Sequence, residues 1–325
     1  MNQMNNKVKN EKKVLWIAPQ FHNYYNDFND EFSEWENVTI DTPLPHSFFV
    51  RKIIFSEFLN RVVPVKKVIN NYKESCFKKM IERVCRTQYD VVVIIKATMD
   101  YKYIETLRRK QPSAKFVLYE WDSVCFYNYL NLVDLFDRIV TFDIEDSKKY
   151  KFEYLPLFYT NNYSKIAQEE TAEDIDVFYL GAAKDRRLEQ LRIISRELSK
   201  RNINYSFNIV SNKTDLGITG ANVYKNPISF EQFRDNYARS KAILEVSRPN
   251  QKGLSIRVIE AVGARKKIII DSDLIKQEPF YSKKNVFIIN EDDLNNLKDF
   301  INSDTDYRVE EYDYSIRAFA KALIN

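Results

Sequence analysis

Short apolar runs alternate along this chain with longer amphipathic stretches, the pattern of strands buried on both faces and joined by crossover helices. Val14 to Ala18 is the first run, stopped by Pro19 and followed by a loop from Gln20 to Tyr25 and a predicted helix from Asp27 to Trp35. A basic and apolar helical region, interrupted by Pro64, runs from His46 to Arg86. Then come an almost continuous strand, YDVVVIIK from Tyr89 to Lys96, a crossover helix from Tyr101 to Lys110 closed by Pro112, and a strand from Lys115 to Glu120. Arg138 to Phe142 is predicted as a strand, and Ile144 to Tyr150 as a short helix capped by Asp143. Composition turns charged after YLPLFY, which places a linker near residues 157 to 174.

A second series of alternating elements follows. Ile175 to Leu180 is a strand ending on Gly181, and GAAKDRRLEQLRII is a glycine turn leading into a helix with Leu188, Leu191 and Ile194 on one side. Tyr205 to Val210 is a strand, and Ser229 to Gln232 has the spacing of a capping box before a helix carrying Phe230, Phe233 and Tyr237. The stretch AILEVSRPNQKGLSIRVIEAVGARKKIIID, from Ala242 to Asp271, reads as strand, loop, helix and strand. Val286 to Ile289, Asp292 to Ile301 and Tyr314 to Ile324 complete the series as strand, helix and terminal helix. The fold class is therefore α/β with two Rossmann-like domains. Their spans are residues 1 to 160 and 161 to 305, and a helix in residues 306 to 325 has the length to cross back to the first domain.

The chemistry of the Ala242 to Asp271 stretch is that of phosphate and ribose binding. Gly253 lets backbone approach a ligand, Ser255 is the predicted N-cap, and the first helical turn exposes N–H groups to an anion. Arg257 and Glu260, three apart, share a helix face, where a guanidinium suits a phosphate and a carboxylate suits ribose hydroxyls. A simple ion pair between them on a solvated face is the alternative. Lys184, Arg186 and Arg187 cluster at a helix start, the unfavourable end for cations, which points to an anion between them; a solvated charge cluster is the alternative. All five glycines, Gly181, Gly217, Gly220, Gly253 and Gly263, lie after residue 180, so a glycine-rich phosphate loop is excluded from the first half.

In the first half, His22 follows a strand end, where it can serve as a general base or simply as a surface residue. Glu120, Trp121, Asp122 and Ser123 also end a strand, which places a carboxylate and a hydroxyl at the carboxyl end of the sheet, and Asp122 can cap the segment containing Tyr127 to Phe136. Between residues 46 and 86, ten basic residues stand against three acidic ones among Phe48, Phe49, Ile53, Ile54, Phe55 and Phe58. That mixture fits either the surface of an anionic membrane or a core-facing aromatic face with lysines in water.

Composition narrows these readings. With 325 residues and 44% hydrophobic content the chain can fill two cores, and a net charge of +4 does not imply nucleic acid. Three cysteines without C-x-x-C spacing and two histidines argue against a structural zinc site, and a reducing cytoplasm is expected. Asp271 and Asp273 have D-x-D spacing but read as turn formers, so no metal is expected. The segment MNQMNNKVKNEKK reads as neither signal peptide nor membrane anchor.

The Ala242 to Asp271 stretch resembles the donor-binding region of GT-B glycosyltransferases, especially bacterial enzymes that build lipopolysaccharide and capsule. YEWDS, Tyr119 to Ser123, is similar to an aromatic-WDS signature of some bacterial polysaccharide glycosyltransferases of this fold. The resemblance implies two domains facing across a cleft, with nucleotide sugar held by the second and acceptor by the first. It gives Glu260 to the ribose, Lys184 and Arg186 to the donor diphosphate, with Gly181, Gln251, Gly253 and Arg257 around it, and Asp122 or His22 to the acceptor hydroxyl. It implies a metal-independent, retaining enzyme without a cofactor beyond its donor, cytoplasmic or at the inner face of the membrane, acting on a saccharide or lipid-linked acceptor. Retaining members carry an acidic residue in the loop where this chain has Lys252. Two alternatives belong to other classes: a sugar-nucleotide epimerase of the same form, and a non-catalytic ligand-binding protein.

Overall fold

In the computed structural model the described residues are 11–20, 23–43, 63–182, 186–307 and 312–325, with side chains of 63–66 excepted. They form two compact units, Met1–Leu155 with Ala320–Asn325, and Pro156–Phe319.

The first unit is built in the order β1 (Val14–Ile17), α1 (Tyr24–Phe32), β2 (Val38–Asp41), α2 (Val63–Val84), β3 (Val91–Ile95), α3 (Tyr101–Lys110), β4 (Lys115–Glu120), β5 (Arg138–Thr141), α4 (Ile144–Tyr150) and β6 (Glu153–Tyr154). Its six strands run parallel in the order β2-β1-β3-β4-β5-β6. Every residue of β1 and β3 is buried, as the unbroken apolar runs require of strands covered on both faces. Helix α2 lays Phe77, Met80, Ile81 and Val84 on the sheet, and the Phe77 ring meets Tyr103 of α3 at 4.9 Å. The described helix starts at Val63 with Pro64 as its second residue, in the turn where N–H groups have no intrahelical partner to lose. Residues 44–62, which include the aromatic part of the expected basic region, lie outside the described residues. The aspartate expected to cap α4 does so: Asp143 accepts from the N–H groups of Glu145 and Asp146 at 3.0 and 3.1 Å.

The second unit follows the order α5 (Asn161–Ile166), β7 (Ile175–Ala182), α6 (Arg187–Lys200), β8 (Tyr205–Val210), β9 (Asn222–Tyr224), α7 (Phe230–Ala238), β10 (Ser240–Glu245), α8 (Ile256–Gly263), β11 (Lys267–Ile270), β12 (Val286–Ile288), α9 (Leu297–Asn302) and α10 (Ile316–Ile324), whose last residues belong to the first unit. Again all strands are parallel, in the order β12-β11-β10-β7-β8-β9. The Ser229–Gln232 capping box opens α7. The chain builds outward from β7 through β8 and β9, then returns to the other side of β7 with β10. Helices that follow β7 and β10 therefore leave the sheet in opposite directions and open a crevice at the carboxyl ends of these two strands, the switch point where open α/β sheets bind ligands.

Gly181 is not in a turn. It sits inside β7, paired with Ile209, and a Cβ there would lie 2.8 Å from Cζ of Tyr179. The residue is glycine because the Tyr179 ring, two positions back on the same face, occupies the space.

Candidate functional site

A cavity of about 330 Å³ occupies the switch point of the second unit, lined by Ala182, Arg187, Glu245, Arg248, Gln251, Ser255 and Arg257. Ala182 and Glu245 are the last residues of β7 and β10, Arg187 is the first residue of α6, and Ser255 and Arg257 stand at the start of α8. Two helix starts and three guanidiniums thus meet at one crevice, a concentration of positive potential that suits a multiply charged anion. Among the described residues, the buried Nε of Arg187 has no hydrogen-bond partner.

One acid stands among the cations. Glu245 is 4% exposed, and its carboxylate lies 3.4 Å from Nη1 of Arg257. Burial raises its pKa, against the pull of Arg257, the Ser255 hydroxyl and Arg187, while Asp271 adds to the rise. Asp271 itself ties the loop after β10 to α6, accepting from the Ser247 N–H at 2.8 Å and from Gln190 at 3.3 Å. The loop between β10 and α8 is set by Asn250 in the left-handed region, φ 65°, and by the Gln251 side chain, which donates to the Gly253 carbonyl at 2.9 Å.

Of the residues singled out from sequence for this site, Arg257 and Gln251 line the cavity, and Gly253 shapes its loop. Ser255 is the N-cap residue, with extended φ and ψ. Arg186 is exposed and outside the cavity wall; the cation brought in by the start of α6 is its neighbour Arg187. One position along a helix turns a side chain by about 100°, and a charge cluster in sequence does not say which member faces inward. Lys184 lies outside the described residues. Glu260 is 6% exposed and does not line the cavity with Arg257; its charge acts on the buried Tyr237 of α7. The helix position of Glu260 is therefore not on a solvated face.

In the first unit, a second group of chemistry-bearing side chains gathers at the carboxyl ends of β3 and β4. Lys96, which follows β3 with φ 54°, forms an ion pair with Asp122. Glu120, fully buried, accepts from the Ala97 N–H at 2.6 Å through one oxygen, and its other oxygen has no partner. Burial pushes this carboxyl up to about 8, with the Ala97 N–H and Lys96 opposing and Asp122 adding. Tyr127 donates to the Ala97 carbonyl, and its own burial takes the phenol to about 12. Below, the Ser123 hydroxyl donates to the buried Asp143, and the Val124 N–H reaches Asp146 at 2.7 Å. Asp122 does not cap the segment after it: the helical turn there is Leu130–Leu135, and its N-cap residue is Tyr129. Trp121 packs on Tyr24 at 5.9 Å between ring centroids. His22 lies outside the described residues.

Arg187, Arg248, Glu245 and Lys96 are not singled out as site residues by sequence reasoning alone, though Arg187 belongs to a visible cluster. Glu245 carries a readable signal: an acid ending the apolar run of a central strand, one residue short of Val246.

No family model matches the chain, and no curated protein is detectably similar to it in sequence. Among solved structures it is similar to an alpha-glucosyltransferase in complex with UDP and a 13-mer DNA containing a central A:G mismatch, with TM-score 0.53 and 10% identity over 96% of this chain and 93% of that one. It is similar to the S. aureus MnaA–UDP complex at TM-score 0.53 and 11% identity over 90% and 88%. The apo lipopolysaccharide outer core galactosyltransferase WaaB aligns over 90% and 88% at 12% identity with TM-score 0.45. The first two likenesses are likenesses of fold, and with two six-stranded parallel sheets flanked by helices the chain has the two-domain α/β fold called GT-B.

Proposed function

We propose that this protein is a glycosyltransferase that moves a sugar from a nucleotide-diphosphate donor to a saccharide or lipid-linked acceptor in the assembly of cell-surface polysaccharide or lipopolysaccharide. The observation that carries the reading is the convergence of Arg187, Arg248 and Arg257 on the switch-point cavity of the second unit. A diphosphate leaving group gathers negative charge as the bond to the sugar breaks, and fixed guanidiniums and helix N-termini stabilise that charge without a metal ion. Gln251, at the same wall, would meet the sugar or nucleoside. Glu260 enters as the ribose ligand that the resemblance implies, although it is buried outside the cavity wall, so the guanidiniums and not Glu260 carry the proposal.

Asp122 is the acceptor-orienting group, with Lys96 as its partner. The ion pair fixes the carboxylate at the end of β4, where it can orient an acceptor hydroxyl. The exposed side of α2, with Lys67, Lys78, Lys79 and the 68%-exposed Val68, supports a seat on an anionic membrane at its inner face. Among the described residues no helix is long and apolar enough to cross a membrane.

Thermal shift with UDP, GDP, dTDP and CMP tests the reading. One nucleotide at a hundred times its Kd should add about 2.7 kcal/mol of stability, and Arg187→Ala and Arg257→Ala should each abolish the gain. Mass analysis of a nucleotide-sugar panel with lipid-linked and oligosaccharide acceptors then reads transfer. Absence of any nucleotide effect, with wild type folded, rejects the proposal.

A further inference from the structure

A carboxylate inside an anion site needs a reason. Glu245 is one of the seven residues lining the switch-point cavity, and only 5% of its side chain is exposed, so it cannot turn out to water when an anion enters. The charged and titratable groups facing it are Arg257 and the Ser255 hydroxyl from the start of α8, Arg187 from the start of α6, Asp271 after β11 and Tyr179 from β7, with Arg248 in the cavity wall. Its contact with Arg257 runs from one nitrogen to one oxygen at 3.4 Å, longer than a bidentate fork, so this pairing is easily exchanged for a better acceptor. Asp271 is already engaged by Ser247 and Gln190 and remains a fixed negative neighbour.

We infer that this cavity takes up its anion together with one proton, which Glu245 binds: a dianion draws Arg257 from the carboxylate, and the resulting neutral carboxyl donates its O–H to an anion oxygen. The balance is simple. Carboxylate, proton and dianion give a carboxylic acid hydrogen-bonded to the dianion, and release returns the proton to solvent. Burial already raises the Glu245 pKa, and a bound dianion raises it further by removing the guanidinium and adding like charge. In the proposed transferase the anion is the donor's diphosphate, and the inference rests on that reading only for the identity of this ligand. Glu245 is then a positioning and selectivity group that ties donor loading to the proton and favours release of the leaving diphosphate toward alkaline pH.

The probe is inorganic sulfate, dianionic throughout the range and free of titration of its own. Sulfate binding to the full chain is measured by calorimetry from pH 6 to pH 8.5, in buffers of differing ionisation enthalpy. Wild type should lose up to about tenfold in affinity per pH unit once Glu245 is ionised in the free protein, and should take up one proton per sulfate. Glu245→Gln, which keeps size and a donor, should bind more tightly than wild type at pH 8 and take up no proton. Parallel pH profiles for the two proteins, no proton uptake by wild type, or no sulfate binding at any pH overturns the inference. Urea unfolding of the variant checks that it is folded, and if it is not, wild-type proton uptake alone decides. Should proton-coupled sulfate binding be found while every nucleotide fails, the transferase reading falls and the coupling stands.

Discussion

Exchanging the buried Glu120 for glutamine should remove a pH dependence of folding that the wild-type chain carries. Burial raises this carboxyl from 4.5 to about 8, so in that interval the folded chain holds a proton which the unfolded chain has released. Its contribution to stability is therefore complete below pH 4.5, falls as pH rises toward 8, and is gone above it. A tenfold change in proton affinity is worth about 1.4 kcal/mol, so the whole interval amounts to roughly 4–5 kcal/mol. That is a large share of the roughly 5–15 kcal/mol that holds an ordinary domain folded. Glutamine keeps an oxygen to accept from the Ala97 N–H, which the wild-type carboxyl receives at 2.6 Å, and has no charge to lose. Urea unfolding of both proteins from pH 5 to pH 9 measures the difference directly, since all other titrating groups cancel between them. The wild-type advantage should shrink by about 1.4 kcal/mol for each step of one in pH through neutrality; parallel profiles would refute the reasoning. Lys96 and Asp122 form their ion pair beside this group, so two carboxyls at the end of β4 serve differently, one as a neutral buried acid and one as the half-buried partner of a lysine.

Two further outcomes follow from contacts already described. Gly263→Ala, at the last position of α8, sets helix propensity against packing. Propensity favours alanine by up to about 1 kcal/mol, but the new methyl would lie 2.7 and 2.8 Å from Cδ2 and Cβ of Tyr159, and overpacking typically costs about 1–3 kcal/mol. Chemical denaturation should show net destabilisation, and a gain in stability would contradict the packing argument. Asp143→Ala removes the cap of α4 and leaves the buried Ser123 hydroxyl without its acceptor, which should cost about 2–4 kcal/mol in the same assay; a loss below about 0.5 kcal/mol would show that neither bond matters.

The central strands are legible in the sequence because they are buried on both faces: VVVII and VLWI have no polar face to confuse their period. The edge strand β2 escapes such reading for the opposite reason, since Val38 to Asp41 is only partly buried and its short sequence has one exposed threonine among half-covered neighbours. Arg257 and Gln251 are legible as members of a loop and helix start between two strong strands. Arg187 is not separable from Arg186, because orientation at a helix start depends on where the first turn begins. Residue type alone makes Gly181 a turn, whereas its cause is the Tyr179 ring above it. Lys96 gives no local sign, since its partner Asp122 is brought to it only when β3 and β4 pair.

The first unit is not a continuous piece of chain. Leu323 and Ile324 are buried, and their carbonyls accept from Arg138 and Lys12 at 3.1 and 3.0 Å, so the final residues complete a domain that begins more than three hundred positions earlier. A fragment cut at Leu155 would lack this last piece and expose the surface it covers. Anyone expressing that half alone should graft residues 316–325 onto it or supply them as a separate peptide, and should place affinity tags at the other terminus.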